Sequence, residues 1–184
     1  MNSKKLAVIF PGVGYNKDKP LLYYAAKLAL SKGYDIYSVD FHDMPSNIRG
    51  DEAKTAEAAR LAYEQADARL SWVNFSDYDE VVFIGKSIGT AVAAKYATDR
   101  GMDVAQVWYT PVEKTFSFGT KRAIAFIGDN DPWSVFSNVE KLAMEANIPL
   151  HVYSGCNHSL ETDDIQENIA NLQDVMHKTA EFIL

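Results

Sequence analysis

Three short segments carry residue types that together could do nucleophilic chemistry. The first is Gly85-Lys86-Ser87-Ile88-Gly89, a G-x-S-x-G pattern between an apolar run, Val81–Ile84, and a helical pattern that begins at Ile88. In that strand–turn–helix context the turn is tight enough to hold the serine in a strained conformation, and glycines two residues to either side remove a collision. Ser87 would project its hydroxyl from the turn, while the Ile88 N–H points from the helix start toward any developing negative charge. A serine hydroxyl is a poor nucleophile at neutral pH and needs a base, itself oriented by an acid. The segments Gly128-Asp129-Asn130-Asp131-Pro132 and Gly155-Cys156-Asn157-His158 supply both, in the chain order Ser, Asp, His.

Other readings compete for the same residues. Gly85-Lys86-Ser87 looks like the tail of a phosphate-binding loop, but that loop needs a glycine where Glu80 stands, and a strand fills its place. Gly12-Val13-Gly14, with Asp40 ending the next strand, hints at a dinucleotide fingerprint that lacks its third glycine, because position 17 is Lys. A flavodoxin-like nucleotide- or flavin-binding domain is therefore an alternative class. Asp129 and Glu113 rival Asp131 as the acid. His158 alone could be a loop histidine or part of a helix cap. His42, after the second strand, reads as a loop residue, and His151 and His177 as structural or surface residues. Cys156 sits too near His158 on one loop for nucleophile–base geometry and reads as a semi-buried thiol. Lys86 reads as an exposed charge beside the turn. Tyr15, Trp108 and Trp133 would either line the crevice as an aromatic pocket or pack in the core. Four histidines without close ligand spacing give no case for a metal, and no organic cofactor is expected.

These residues need a frame that brings distant segments to one edge. Strands are expected at Leu6–Phe10, Ile36–Val39, Val81–Ile84, Val107–Tyr109, Ala123–Ile127 and Leu150–Tyr153, most of them near-continuous apolar runs as in strands covered on both faces. Helical patterns lie between and after them. Pro20–Lys32 carries Leu21, Tyr24, Ala25 and Leu28, and residues 51–72 carry Ala56, Ala59, Tyr63, Ala66 and Leu70. Ile88–Asp99 follows, then Trp133–Asn147, and Asp164–Leu184 repeats Ile165, Ile169, Leu172, Met176 and Ile183. Such alternation means parallel strands joined by right-handed crossovers. The expected class is α/β, a three-layer α/β/α sandwich on a mainly parallel sheet of about six strands. Ligands then bind beyond the carboxyl ends of the strands, where all three reactive segments fall.

Composition narrows the function. The 184 residues suit a single domain over 1–184, with 47% apolar and 23% charged residues as in ordinary globular proteins. The 18 Lys plus Arg against 25 Asp plus Glu give a net charge of −7, which argues against nucleic acid or an anionic membrane as partner. The run Leu6–Phe10 after Lys4 and Lys5 is too short for a signal peptide. No stretch approaches the ~18 uninterrupted apolar residues of a membrane span. One cysteine excludes an intramolecular disulfide and suggests a reducing, cytoplasmic setting. Oligomeric state is not readable.

With these motifs in view, the chain resembles a small serine hydrolase of the α/β-hydrolase fold along essentially its whole length. The resemblance rests on Gly85–Gly89 as nucleophile elbow, Asp131 in G-x-x-D after the next-to-last strand, and His158 in G-x-x-H after the last. It implies Ser87, Asp131 and His158 as catalytic triad, with Asp131 preferred over Asp129 by the family spacing. It also implies a second oxyanion donor from the loop after the first strand, here Phe10–Tyr15, where the Val13 N–H takes that role. The usual His-Gly of that loop is replaced by Pro11-Gly12. The hairpin strands that precede this point in larger members are not seen. Only Thr110–Arg122 stands where many relatives insert a lid, so the site should be open and shallow. The expected substrate is a small acyl ester, with thioester or amide compatible. The alternative from another class is a non-catalytic ligand-binding protein on the same fold.

Overall fold

A computed structural model describes residues 3–183. Its strands follow the apolar runs: β1 (Lys5–Phe10), β2 (Tyr34–Ser38), β3 (Glu80–Lys86), β4 (Ala105–Tyr109), β5 (Ala123–Gly128) and β6 (Leu150–Tyr153). All pair in parallel, in the order β2-β1-β3-β4-β5-β6. Every residue of β4 and β5 is buried, whereas the outer strands β2 and β6 are only partly covered. That difference explains why the inner strands read as unbroken apolar runs and β2 admits Asp35.

Parallel neighbours need crossovers, and helices supply most of them: α1 (Pro20–Ser31), α2 (Glu52–Leu70), α3 (Ile88–Asp99) and α4 (Phe136–Glu145), with α5 (Ile165–Phe182) following β6. From β4 to β5 the chain crosses by a short 3₁₀ segment, Glu113–Phe118, and no lid is inserted there. On one face Ile9, Ile84, Tyr109 and Phe126 pack with Leu21 and Leu22 of α1 and Val175 of α5. On the other, Val8, Phe10 and Phe83 meet Ala62, Ala66 and Leu70 of α2 and Val92, Ala93 and Tyr96 of α3. Phe83 anchors an aromatic group there, with ring centroids 5.1 Å from Phe10 and 6.1 Å from Tyr96. This is the three-layer α/β architecture the alternation implies.

Several details depart from the pattern. β2 begins at Tyr34 and ends before Val39, whose N–H nevertheless donates to the Ile9 carbonyl. In α2 the buried stripe is Ala58, Ala62, Ala66 and Leu70, rotated from the expected one, because alanine on every side leaves the inward face ambiguous. The first turns of α5 leave Ile165 66% and Ile169 58% exposed. An 18-residue helix runs ~27 Å against ~20 Å for a six-residue strand, so its start overhangs the sheet. Leu184, the expected end of that helix, lies outside the described residues. Finally, α4 starts at Phe136 rather than Trp133, because the preceding backbone is held in a turn by carboxylates. Asp131 accepts the Trp133 N–H and Glu113 the Val135 N–H.

The topology also positions the site. The chain moves outward from β1 to β2, then returns to lay β3 on the other side of β1. At that reversal the chain leaving β1 passes into α1 on one face of the sheet and the chain leaving β3 into α3 on the other, and such switch points are where ligands bind in open α/β sheets.

Candidate active site

Ser87 follows β3 directly and adopts φ 56° and ψ −127°, a conformation non-glycine residues avoid at a cost of ~1–3 kcal/mol. Three hydrogen bonds fix it there. Its N–H donates to the Tyr109 carbonyl at 2.9 Å, and its carbonyl accepts from the Thr90 N–H at 2.9 Å and the Thr90 hydroxyl at 2.6 Å. The flanking glycines have separate duties. A Cβ on Gly85 would lie 2.8 Å from the Thr90 Cα, within the elbow itself. One on Gly89 would lie 2.3 Å from the carbonyl oxygens of both Phe10 and Pro11. Gly89 thus lets the end of β1 rest on the elbow, and Gly12 completes that contact, its absent Cβ being 3.2 Å from the Ser87 Cβ.

The loops after β5 and β6 are joined by their own hydrogen bonds. The Asn130 N–H donates to the Cys156 carbonyl at 3.1 Å, and the Gly155 N–H donates to Asp129 Oδ1 at 2.6 Å. Asp129, the rival acid, is therefore a brace between loops. Glu113, the other rival, accepts the Val135 N–H at 2.8 Å. Asn157 accepts the Ser159 and Glu161 N–H groups and shapes the turn around His158, while Asp164 caps α5.

Ser87, His158 and Asp131 come together across these loops. His158 Nε2 lies 2.8 Å from Ser87 Oγ, and His158 Nδ1 lies 2.7 Å from Asp131 Oδ2. The second Asp131 oxygen accepts the Trp133 N–H at 2.8 Å, so both oxygens are engaged and the carboxylate is fixed. The Asp131 side chain is fully buried and that of His158 14% exposed. With its proton on Nδ1, donated to Asp131, the imidazole presents a lone pair at Nε2 to the serine hydroxyl. Among the described residues neither the Ile88 nor the Val13 N–H has a hydrogen-bond partner, and Val13 packs against the cluster containing Ile88. Both N–H groups are therefore free to donate.

Burial pushes the imidazole below its ordinary 6.5; the Asp131 hydrogen bond opposes this, and the Lys86 charge adds to it. A base must be uncharged to accept a proton, so a lowered value extends its useful range toward acid. The acid limb of kcat/KM should accordingly have its midpoint below 6.5, with the rate level through neutrality, as a pH–rate profile on an ester with a non-ionising acyl group would show. A midpoint above 6.5 would contradict this environment for His158.

The remaining expected residues divide. Trp133, 40% exposed, stacks on His158 with ring centroids 5.5 Å apart, so it borders the reacting groups. Tyr15 does not line an open crevice. It is 9% exposed, its hydroxyl accepts the Leu21 N–H, and its ring faces Lys86. Trp108 is wholly buried against Phe116, its Nε1–H donating to Gln106. Lys86 overturns the exposed-charge reading, being 1% exposed. The signal lay in the strand period: Val82 and Ile84 face the core, and residue 86 continues that face. Cys156 is buried, its sulfur accepting from the Asn171 amide. His42 lies beside Gln65, His151 stacks on Phe126, and His177 lies 3.4 Å from Glu181 on the exposed face of α5.

Two cavities open on segments outside the triad. One of about 430 Å³ borders Asn130, Gly155, Asn157 and Glu161, and one of about 570 Å³ borders Asp40, His42, Gln65 and Trp72. Neither is lined by Ser87 or His158. Among the described residues no three His, Cys, Asp or Glu side chains are grouped to hold a metal ion, and no helix is long and apolar enough to cross a membrane.

Comparison with known proteins agrees with the fold. Residues 3–184 match the model of the alpha/beta hydrolase domain family. A serine hydrolase homologue from Coxiella burnetii superposes with a TM-score of 0.72 at 18% identity, covering 100% of this chain and 86% of its own. A lidless serine hydrolase from Xanthomonas campestris superposes with a TM-score of 0.65 at 14% identity, covering 98% and 83%. No curated protein matches.

Proposed function

The chain belongs to the alpha/beta hydrolase domain family, and from that premise we propose that it is a serine hydrolase cleaving small acyl esters through Ser87, His158 and Asp131. The observation that carries this reading is the unbroken hydrogen-bonded line from Ser87 Oγ through both nitrogens of His158 to Asp131, 2.8 and 2.7 Å. His158 Nε2 takes the hydroxyl proton as Ser87 Oγ bonds to the acyl carbon. The carbonyl π electrons move to oxygen, where the Ile88 and Val13 N–H groups receive the negative charge. Losing one such donor typically costs ~3 kcal/mol, about a hundredfold in rate. The tetrahedral adduct collapses, the alcohol leaves with the proton from His158, and an acyl-serine remains. Water, deprotonated by the same nitrogen, then releases the acid and restores the serine. Asp131 keeps the Nδ1 tautomer and stabilises the imidazolium between proton transfers.

The absence of a lid favours small or loosely held acyl groups, with Trp133 as an aromatic wall beside the base. Nitrophenyl esters from acetyl to octanoyl test the reading. Each added methylene should change kcat/KM by well under the roughly tenfold that a closed apolar pocket gives. A fluorophosphonate probe should label the wild type at Ser87. Failure to label, together with no turnover on any ester, would leave a binding protein on a hydrolase fold.

A further inference from the structure

Lys86 immediately precedes Ser87 at the end of β3, and its side chain is 1% exposed. Among the described residues no carboxylate lies within ion-pair distance of its Nζ. The ammonium instead sits 4.8 Å from the centroid of the Tyr15 ring. Its stem runs beneath the loop after β1, where a Cβ on Gly12 would lie 3.4 Å from the Lys86 Cδ. Gly12 and Tyr15 close that loop by exchanging backbone hydrogen bonds, at 3.0 and 3.2 Å, and Val13 lies within the turn they make. One side chain therefore touches both ends of the turn that presents Val13, and is bonded through the backbone to the serine.

Burying an unpaired cation costs several kcal/mol, and an apolar side chain of the same length would fill the space without that penalty. The titratable groups around it come from three loops. Asp131 lies on the loop after β5, Glu161 and His158 on the loop after β6, and Tyr15 on the loop after β1. Burial lowers the ammonium to about 7 against the pull of Asp131 and Glu161, so it carries substantial charge near neutrality. That charge opposes a second one on His158.

We propose that Lys86 is a positioning residue of the hydrolytic site, its stem bracing the Gly12–Tyr15 turn against the Ser87 elbow and its charge acting on the His158 imidazole. The proposal rests on the reading of Ser87, His158 and Asp131 as a triad. It separates two roles in one side chain, and substitutions can remove them one at a time. Lys86→Met keeps a stem and removes the charge; Lys86→Ala removes both.

The test is an NMR titration of the His158 imidazole in wild type and Lys86→Met, beside pH profiles of kcat/KM for wild type, Lys86→Met and Lys86→Ala. Losing the charge should move the imidazole midpoint, and the acid limb with it, upward by roughly half to one pH unit. Losing the brace should lower the plateau in Lys86→Ala at least tenfold below that of Lys86→Met, with the loss in kcat rather than KM, because the displaced donor serves the transition state. Coincident imidazole midpoints in wild type and Lys86→Met, or equal plateaus in the Met and Ala variants, would overturn the proposal. Lys86→Gln gives a second neutral side chain should the Met variant not fold. The titration needs no substrate, so a wild type that neither takes the fluorophosphonate label nor turns over an ester would refute the hydrolase reading while the imidazole shift still judges Lys86.

Discussion

Ser87→Ala should lower kcat on a nitrophenyl ester by about 10⁴–10⁶-fold while leaving the fold intact, and Asp131→Asn should lower it by about 10⁴-fold. For the serine, alanine inherits the same positive φ, so no backbone strain is relieved. The lost bond to His158 is worth only ~1 kcal/mol of stability, and melting should barely move. For the asparagine, both oxygens of Asp131 matter. One accepts the Trp133 N–H and the other faces His158 Nδ1. An amide has a single acceptor oxygen, and if that oxygen keeps Trp133, the NH₂ faces the imidazole. The ring must then hold its proton on Nε2, and it can no longer accept the serine proton. Steady-state rates with active-site titration measure both variants. Either one turning over at near wild-type rate would remove the triad from the mechanism.

Gly128→Ala should lower kcat about a hundredfold or more, although residue 128 ends β5 and is no member of the triad. The Cβ it would add lies 2.0 Å from the Cys156 carbonyl oxygen and 2.5 Å from its carbon, backbone atoms that cannot swing aside. Relief requires the loop after β6 to retreat by more than 1 Å, and His158 sits two residues further along it. Displacement of a reacting group by about 1 Å costs on the order of 10²-fold, and forced packing of this kind costs ~1–3 kcal/mol in stability. The measurement is kcat together with circular dichroism and melting temperature. A folded variant of unchanged rate would mean that the two loops do not approach this closely.

The strands and the three reactive segments were legible because their signals are local. Near-continuous apolar runs mark β1, β3, β4 and β5, and glycines mark the turns that follow them. The choice of Asp131 over Asp129 was not legible from the residues themselves. Both follow β5 in one turn, and only the bond from the Gly155 N–H to Asp129, made across two loops, separates a brace from a partner of His158. Tyr15 takes the core side of its two expected roles, and the burial of Lys86 is hidden in the sequence because an amine reads as a surface group until its contact with the Tyr15 ring is known. In α2, alanines on every side hid which stripe faced the core.

The wide spacing of the reacting groups along the chain has a consequence for how activity is acquired. Ser87 and His158 are separated by 71 positions, and Val13, the proposed second donor, belongs to the loop after β1. Strands β1 and β3, adjacent in space, enclose the whole of α1, β2 and α2 between them. Closing such loops costs entropy before any contact rewards it, which slows folding and makes partial assembly unprofitable. During refolding, catalytic competence should emerge late, after the helices have formed.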